Sequence, residues 1–226
     1  MKKITIAIDG FSSTGKSTLA KELAQHLGFV YVDTGAMYRA VTYFAMQNGY
    51  IGAEFFDKDS LINSLPFITL EFKFNPDLGF GEMYLNGTNV EKQIRTIEVS
   101  GFVSRIAEVS QVRAKLVEQQ QQMGKGKGIV MDGRDIGTVV FPDAELKIFM
   151  TASPETRARR RYDELLQKGQ DVSFDQVLQN VIGRDHIDSN REDSPLRKAS
   201  DAVEIDNSNL TREQQFAKVL SLVEKI

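Results

Sequence analysis

The chain has 226 residues, no cysteine and a formal net charge of -3 at pH 7. This length allows a sizeable core, the lack of cysteine excludes disulfide bonds, and the acidic balance excludes a global basic field for nucleic acid. The apolar runs are too short to span a bilayer, and the charged start at Lys2 and Lys3 argues against a signal peptide. We therefore expect a cytoplasmic monomer with no membrane or nucleic-acid-polymer partner.

The first predicted elements are a β-branched strand at residues 4–9 and an amphipathic helix that begins near Lys16. The turn between them fits the phosphate-loop pattern G-x-x-x-x-G-K-[ST], which predicts a bound nucleoside triphosphate with magnesium. The glycines let N–H groups turn toward phosphate oxygens, Lys16 adds a charge, and the Ser17 hydroxyl is the predicted Mg²⁺ ligand. The alternative is a glycine-rich turn with a coincidental lysine. The predicted nucleotide contacts are Gly10, Phe11, Ser12, Ser13, Thr14, Gly15, Lys16, Ser17 and Thr18.

A second strand at residues 29–32 precedes a helical pattern from 36 to about 47. This β-α-β-α beginning predicts a parallel sheet with helices on both faces and with ligands at the carboxyl ends of its strands. Three further strand candidates, at 128–131, 146–150 and 202–205, also run into polar residues. Five strands would therefore deliver polar groups to one edge.

The middle of the chain breaks this alternation. Residues 67–74 and 82–85 are strand patterns with no helix between them, and Asn86-Gly87 is a strong hairpin signal. We predict a small antiparallel subdomain at about 64–93. Helical patterns follow at 97–109, 112–123, 154–168, 173–188 and 211–225. The glutamine run at 119–122 is interpreted as a solvated helix segment.

Polar residues after two of the strands are candidates for binding a phosphate acceptor. Asp33 follows the second strand, and Arg39 lies one helical turn into the next helix. Asp132 closes an apolar strand as a Walker-B acid would, while Arg134 and Asp135 suit a phosphate and an amine. A helix cap at Asp33 and an ordinary turn after Asp132 are the alternatives. Since a guanine-reading N-K-x-D signature is absent, the chain favours a small phosphotransferase over a GTPase.

Four arginines lie close together after the 146–150 strand, at Arg157, Arg159, Arg160 and Arg161. A charge run on a helix is usually a solvated face. Because these arginines directly follow a sheet strand in an acidic chain, we instead predict a short lid at about 155–172 that closes arginines over the nucleotide.

Several stretches together resemble bacterial cytidylate kinases, which are nucleoside monophosphate kinases. They are the phosphate loop, D-T-G-A-M-Y-R at 33–39, L-N-G-T-N-V at 85–90 through I-R-T at 94–96, D-G-R-D-I-G-T-V-V-F-P-D-A at 132–144 and residues 184–191. The resemblance covers essentially the whole chain in order. Two positions depart from common patterns: Ser17, where many nucleoside monophosphate kinases carry glycine, and Thr34, where serine is frequent.

The resemblance implies a single P-loop kinase domain over 1–226, with three layers, a five-stranded parallel sheet, the antiparallel insert and the helical lid. It implies transfer of the γ-phosphoryl group of ATP to CMP or dCMP by an in-line, Mg²⁺-assisted reaction, without a general base. Another small-molecule kinase, for UMP or a polyol, and a regulatory ATP-binding module stay open as alternatives.

The resemblance also implies roles for individual residues. Spacings of four and three would place Arg184, Asp188 and Arg191 on one helical face, where an exposed salt bridge is the alternative. The implied cytosine contacts are Thr34, Arg113, Asp135 and Arg191, and the implied sugar contacts are Ser104, Arg184 and Asp188. The residues implied at the acceptor phosphate are Arg39 and Arg134, with Asp132 beside them. The implied catalytic residues are Lys16, Arg134, Arg157 and Arg161.

Overall fold

The computed structural model describes residues 2–226. These residues form two compact units. The first, called the P-loop unit, comprises residues up to Val32 together with Gln121–Ile226, and the second, called the central unit, comprises Asp33–Gln120. Among the helices of residues 2–226, none combines the length and the apolar composition that a bilayer span needs.

The strands are β1 (Thr5–Gly10), β2 (Val30–Asp33), β3 (Leu70–Asn75), β4 (Phe80–Leu85), β5 (Thr88–Asn89), β6 (Ile129–Gly133), β7 (Leu146–Thr151) and β8 (Val203–Asp206). The helices are α1 (Lys16–Leu27), α2 (Thr34–Gln47), α3 (Lys58–Ser64), α4 (Ile97–Ala107), α5 (Ser110–Gly124), α6 (Pro154–Gln167), α7 (Phe174–Asn190) and α8 (Arg212–Val223). Short 3₁₀ turns lie at Leu65–Phe67 and Gln93–Arg95, and a π-helical turn lies at Ile136–Val140.

The main sheet has five parallel strands in the order β2-β6-β1-β7-β8. Its central strand β1 is buried along its whole length, as a strand covered on both faces should be. Ile6 and Ile8 of β1 share one hydrophobic cluster with Leu19 and Leu23 of α1. Burial of each such side chain contributes about 1.5–3 kcal/mol, so this cluster holds α1 firmly on the sheet.

The register of the sheet determines where the phosphate loop begins. Asp9 of β1 pairs with Gly133 of β6, and Gly10 pairs with Met150 of β7. The carboxyl ends of these three strands therefore coincide, and the segments that follow them start at one edge.

Capping side chains account for the starts of the three C-terminal helices. Ser153, Ser173 and Thr211 each accept a hydrogen bond from a backbone N–H three residues further on. Ser173 and Thr211 form complete capping boxes with a glutamine side chain. Each cap contributes about 1 kcal/mol and sets the first residue of its helix.

The central unit contains the small antiparallel sheet, in the order β3-β4-β5. Asn86 and Gly87, with φ angles of 48° and 81°, join β4 to β5. A two-residue hairpin with both residues in the left-handed region matches strand twist, which explains the Asn-Gly pair. The predicted combination of a five-stranded parallel sheet and a small antiparallel sheet is confirmed.

The interpretation of the glutamine run as solvated is confirmed for Gln121 and Gln122, which are exposed, but it is wrong for Gln119 and Gln120. Gln120 is 1% exposed, and its Nε2 lies 3.9 Å from Met37 Sδ. Gln119 Nε2 donates to Leu70 O at 2.7 Å. A glutamine can be buried when its amide finds partners, and the partners here come from residues distant in sequence.

Candidate functional site

The phosphate loop connects β1 to α1, and glycine is required at both of its ends. Gly10 has a φ of 145°, and a Cβ added there would lie 2.1 Å from Met150 O. Gly15 has a φ of 87°, in the left-handed region, immediately before α1 begins at Lys16. The loop therefore ends at the positive end of a helix, which favours an anion such as a phosphate.

Lys16 lies on the inner side of the loop. Its Nζ donates to Phe11 O at 2.6 Å and to Thr14 Oγ1 at 3.3 Å. Burial lowers the pKa of Lys16 to about 7, Arg134 acts in the same direction, and Asp132 opposes both. An anion bound in the loop would raise this pKa again and hold the lysine in its charged form.

Asp132 lies beside the start of α1. Its Oδ2 accepts a hydrogen bond from Ser17 Oγ at 2.9 Å, and its Oδ1 accepts one from Tyr31 OH at 2.8 Å. The two predicted Mg²⁺-side groups, Ser17 and Asp132, are thus in direct contact. Sequence reasoning missed Tyr31, whose only signal was its place in an apolar strand.

The chemistry of these donors fits magnesium. Mg²⁺ prefers oxygen ligands and is usually held by one or two protein oxygens together with substrate phosphates and water. Ser17 and Asp132 supply a hydroxyl and a carboxylate. Across residues 2–226, no group of three or more His, Cys, Asp and Glu side chains is arranged as a metal site of its own.

Asp135 follows β6 and is the N-cap residue of the π-helical turn Ile136–Val140. Asp135 is buried, and Arg191 Nη2 lies 3.8 Å from its Oδ1. Asp9 Oδ1 accepts from the Ile136 N–H at 2.8 Å, and Asp9 Oδ2 accepts from the Gly137 N–H at 2.7 Å. Sequence reasoning passed over Asp9, although it immediately precedes the phosphate loop.

Arg134 is held by Asp188 of α7. Arg134 Nε donates to Asp188 Oδ2 at 2.8 Å, and both side chains are largely shielded from solvent. Burial alone would raise the pKa of Asp188, but Arg134, Arg184 and Arg191 together hold it below its usual value. The structure therefore brings together five predicted substrate residues of the P-loop unit: Arg134, Asp135, Arg184, Asp188 and Arg191.

Arg157 of α6 is bound to the backbone of the phosphate loop. It is 3% exposed, and its Nη1 lies 3.1 Å from Ser12 O and 2.6 Å from Asp185 Oδ2. The Ser12 N–H donates to Asp185 Oδ1 at 3.3 Å. This ion pair thus holds both backbone polar groups of Ser12, and Asp185 is a third residue that sequence reasoning missed.

The other arginines of the run have different surroundings. Arg160 donates to Asn207 Oδ1 and O at 3.0 and 2.8 Å, and Asn207 Nδ2 donates to Thr14 O at 2.7 Å. Arg161 Nη1 donates to Glu164 Oε2 at 2.9 Å. Arg159 is exposed, with its guanidinium 4.5 Å from the centre of the Phe174 ring. The predicted lid role of this segment stays a prediction.

In the central unit, Asp33 caps α2 and binds two arginines. Its Oδ1 accepts from the Ala36 N–H at 2.9 Å, and its Oδ2 lies 2.9 Å from Arg39 Nη2 and 2.9 Å from Arg95 Nη1. Burial alone would raise the pKa of Asp33, but the two guanidinium groups hold it well below its usual range. The capping alternative and the acceptor-site interpretation of this segment are thus compatible.

The remaining predicted contacts of the central unit are Thr34, Ser104 and Arg113, and all three are buried. Arg113 Nη1 lies 3.5 Å from Ala107 O, and its guanidinium lies 6.0 Å from the centre of the Tyr38 ring. Thr34 is the first residue of α2, Ser104 lies in α4, and Arg113 lies in α5. Polar side chains buried in this way are typical of ligand sites and of internal hydrogen-bond networks.

Comparisons with known proteins identify the relatives of this chain. The cytidylate kinase family profile matches residues 6–225. A cytidylate kinase of Flavobacterium johnsoniae is 75% identical over 226 residues, which cover 100% of this chain and 98% of the relative. A cytidylate kinase of Flavobacterium psychrophilum is 71% identical, with both chains fully covered. A solved structure of an uncharacterised Eubacterium ventriosum protein superposes over the full length of both chains with a TM-score of 0.51 at 11% identity, which indicates a shared fold.

Proposed function

The chain belongs to the cytidylate kinase family, and we propose that it transfers the γ-phosphoryl group of ATP to CMP or dCMP. The products are ADP and CDP or dCDP. The observation that carries this proposal is the family match over nearly the whole chain, from residue 6 to residue 225. The geometry of the phosphate loop supports the choice of a nucleoside triphosphate as the donor.

The donor phosphates lie, in this proposal, against the N–H groups of the phosphate loop and the Lys16 ammonium. Ser17 and Asp132 would hold Mg²⁺, which neutralises charge on the phosphates when it is bound. Arg157 and Asp185 keep the Ser12 peptide in place. The loop is therefore organised before ATP arrives, which lowers the cost of ordering it on binding.

Arg39 and Arg134 are assigned to the acceptor phosphate. Each is oriented by a buried carboxylate, Asp33 for Arg39 and Asp188 for Arg134. Such a carboxylate limits the rotamers of a long side chain, and a guanidinium carries five N–H donors suited to a phosphate. The acceptor is already an anion, so in-line positioning and charge neutralisation replace a general base.

Cytosine recognition is assigned to Asp135 and Arg191 of the P-loop unit and to Thr34 and Arg113 of the central unit. A carboxylate accepts a hydrogen bond from the exocyclic amine of cytosine, whereas uracil presents a carbonyl oxygen at that position. Arginine donates to the ring acceptors. The sugar contacts are assigned to Arg184, Asp188 and Ser104.

Arg161 is assigned to the transferred phosphoryl group, together with Lys16, Arg134 and Arg157. We also propose that the chain forms a single kinase domain over 1–226, with a lid at 155–172 and an inserted subdomain at 64–93. A monomeric state and a cytoplasmic location belong to the proposal as well, and the absence of cysteine supports the location.

A coupled assay of ADP release with a panel of acceptors tests the proposed function. The panel contains CMP, dCMP, UMP, AMP, GMP and glycerol, and Lys16→Met serves as the inactive control. We expect turnover with CMP and dCMP above every other acceptor, and none measurable in Lys16→Met. ADP release that does not depend on an acceptor, or that is fastest with glycerol, would contradict the proposal.

A further inference from the structure

Asp9 is a buried carboxylate directly before the phosphate loop, and no substrate contact is assigned to it above. It lies at the carboxyl end of β1 and is 4% exposed. A carboxylate in such a place costs free energy unless hydrogen bonds compensate for its lost hydration. The partners of Asp9 therefore indicate what the residue does.

Those partners are two consecutive backbone N–H groups that lie 127 and 128 positions away in sequence. The Ile136 and Gly137 N–H groups donate to Oδ1 and Oδ2 at 2.8 and 2.7 Å. They are the first N–H groups of the π-helical turn, whose own N-cap residue, Asp135, makes no side-chain cap. Asp9 thus caps this turn from another strand of the sheet.

The peptide that joins Asp135 to Ile136 is consequently held on both edges. Its carbonyl, Asp135 O, accepts from the Val139 N–H at 2.9 Å, and its N–H donates to Asp9. This peptide sets the direction in which the Asp135 side chain leaves the backbone. Asp135 O also accepts from the Val140 N–H at 3.2 Å, so loss of the bond to Asp9 is the change that would free one edge of this peptide and let the Asp135 carboxylate move.

The turn also lies close against the Asp9 side chain. A Cβ added at Gly137 would lie 3.4 Å from Asp9 Oδ2 and 3.2 Å from the Lys147 side chain. The turn therefore packs directly on the Asp9 carboxylate, with the Lys147 side chain beside it. Burial raises the pKa of Asp9 to about 7, and the two N–H donors oppose that rise.

We propose that Asp9 is a positioning residue for base selection, because its carboxylate holds the backbone turn that aims Asp135 at the acceptor base. The inference rests on the proposed function, in which Asp135 reads cytosine. Asp9 also immediately precedes Gly10. One side chain therefore connects the start of the loop assigned to the donor with the turn assigned to the acceptor base.

The test is a double-mutant cycle on the kcat/KM ratio of CMP to UMP, in wild type, Asp9→Asn, Asp135→Asn and the double variant. Asn at position 9 keeps the shape but turns an N–H donor toward a backbone N–H. Loss of one hydrogen bond to a charged group should lower the CMP to UMP ratio by about 5-fold or more, while the KM for ATP stays near its wild-type value. In the Asp135→Asn background, the same change should leave the ratio unaltered.

Glu145→Gln is the matched control, since Glu145 Oε2 accepts from the Thr5 N–H at the opposite end of β1. It should leave the CMP to UMP ratio at the wild-type value. If Asp9→Asn does not fold, Asp9→Ser supplies the test, because a single hydroxyl on a shorter side chain cannot accept from both N–H groups and should lower the ratio in the same way.

The possible results distinguish a failure of the inference about Asp9 from a failure of the proposed function. A lowered ratio in Asp9→Asn or Asp9→Ser that disappears in the Asp135→Asn background supports the inference. An unchanged ratio, or independent effects that multiply in the double variant, overturns the inference while phosphorylation of CMP or dCMP by the wild type still stands. A wild-type protein that phosphorylates neither CMP nor dCMP overturns the proposed function, and the inference with it.

Discussion

The Ser17 hydroxyl donates a 2.9 Å hydrogen bond to Asp132 Oδ2, which joins the first turn of α1 to the end of β6. The first residue belongs to the phosphate loop, and the second closes the neighbouring strand of the sheet. A hydroxyl and a carboxylate in contact at this edge are oxygen donors of the kind that Mg²⁺ prefers. The same carboxylate accepts from Tyr31, so its orientation is fixed from two sides.

Asp132→Asn should raise the Mg²⁺ concentration needed for the half-maximal rate by about 10-fold or more, because a neutral amide attracts the cation less than a carboxylate does. Titration of the initial rate with MgCl₂ at saturating nucleotide measures this concentration. Tyr31→Phe is the matched comparison, since it removes one hydrogen bond and leaves the charge. A larger shift in Tyr31→Phe than in Asp132→Asn would remove Asp132 from the metal side of the site.

Arg134→Ala and Arg39→Ala should each lower kcat by about 10²-fold and raise the KM for CMP more than the KM for ATP, because both guanidinium groups are assigned to the acceptor phosphate. Arg197→Ala, which removes an exposed arginine, should leave both constants near wild type. Steady-state kinetics with each substrate varied in turn measures the split. An effect confined to ATP would reverse the assignment of the two arginines.

Arg161→Ala should slow turnover without loss of the fold, since Arg161 forms its ion pair with Glu164 of the same helix. Arg159→Ala, two positions away on α6, is the matched control and should stay near wild-type turnover. Hydrogen exchange of residues 155–172 should slow when a bisubstrate analogue binds, because lid closure excludes water. Equal turnover in the two variants, with no change in exchange, would assign this segment to a solvated helix face.

The acid stability of the protein should depend on Asp33. Arg39 and Arg95 hold the pKa of Asp33 low in the folded state, whereas the pKa of an unfolded Asp is about 3.9. The Asp33 carboxylate therefore stabilises the fold fully above that unfolded-state pKa, and this stabilisation is lost as the pH falls below it. At neutral pH, Asp33→Asn should lower the free energy of unfolding by about 3 kcal/mol, because the largely buried guanidinium groups of Arg39 and Arg95 lose their charged partner. Urea unfolding from about pH 6 to about pH 3 should show this difference shrinking with acidity. A difference that grows toward acid pH would contradict the sign.

The elements of the fold could be predicted where the signal is local. Gly10, Gly15 and the Asn86-Gly87 pair stand where the backbone needs glycine or left-handed geometry, and their spacing carried the assignments. The π-helical turn at Ile136–Val140 had no such signal. Its geometry depends on Asp9, a residue more than a hundred positions away.

The site was predictable to the extent that residue types at strand ends indicate chemistry. Asp132, Arg134 and Asp135 were predicted as site residues in this way. Asp185 was missed because its role comes from its contacts with Arg157 and Ser12, which only the packing of α6 and α7 against the loop creates. Residues that orient others have no motif of their own.

In the proposed reaction, the protein transfers a phosphoryl group to a cytosine nucleotide, which it selects by recognising the base. The most direct measurement offers equimolar CMP and UMP with ATP labelled in the γ-phosphate and quantifies label in CDP and UDP. Since uracil would set a carbonyl oxygen against the buried Asp135 carboxylate, we predict at least about 10-fold more label in CDP. Equal label in CDP and UDP, or label in inorganic phosphate alone, would contradict the account.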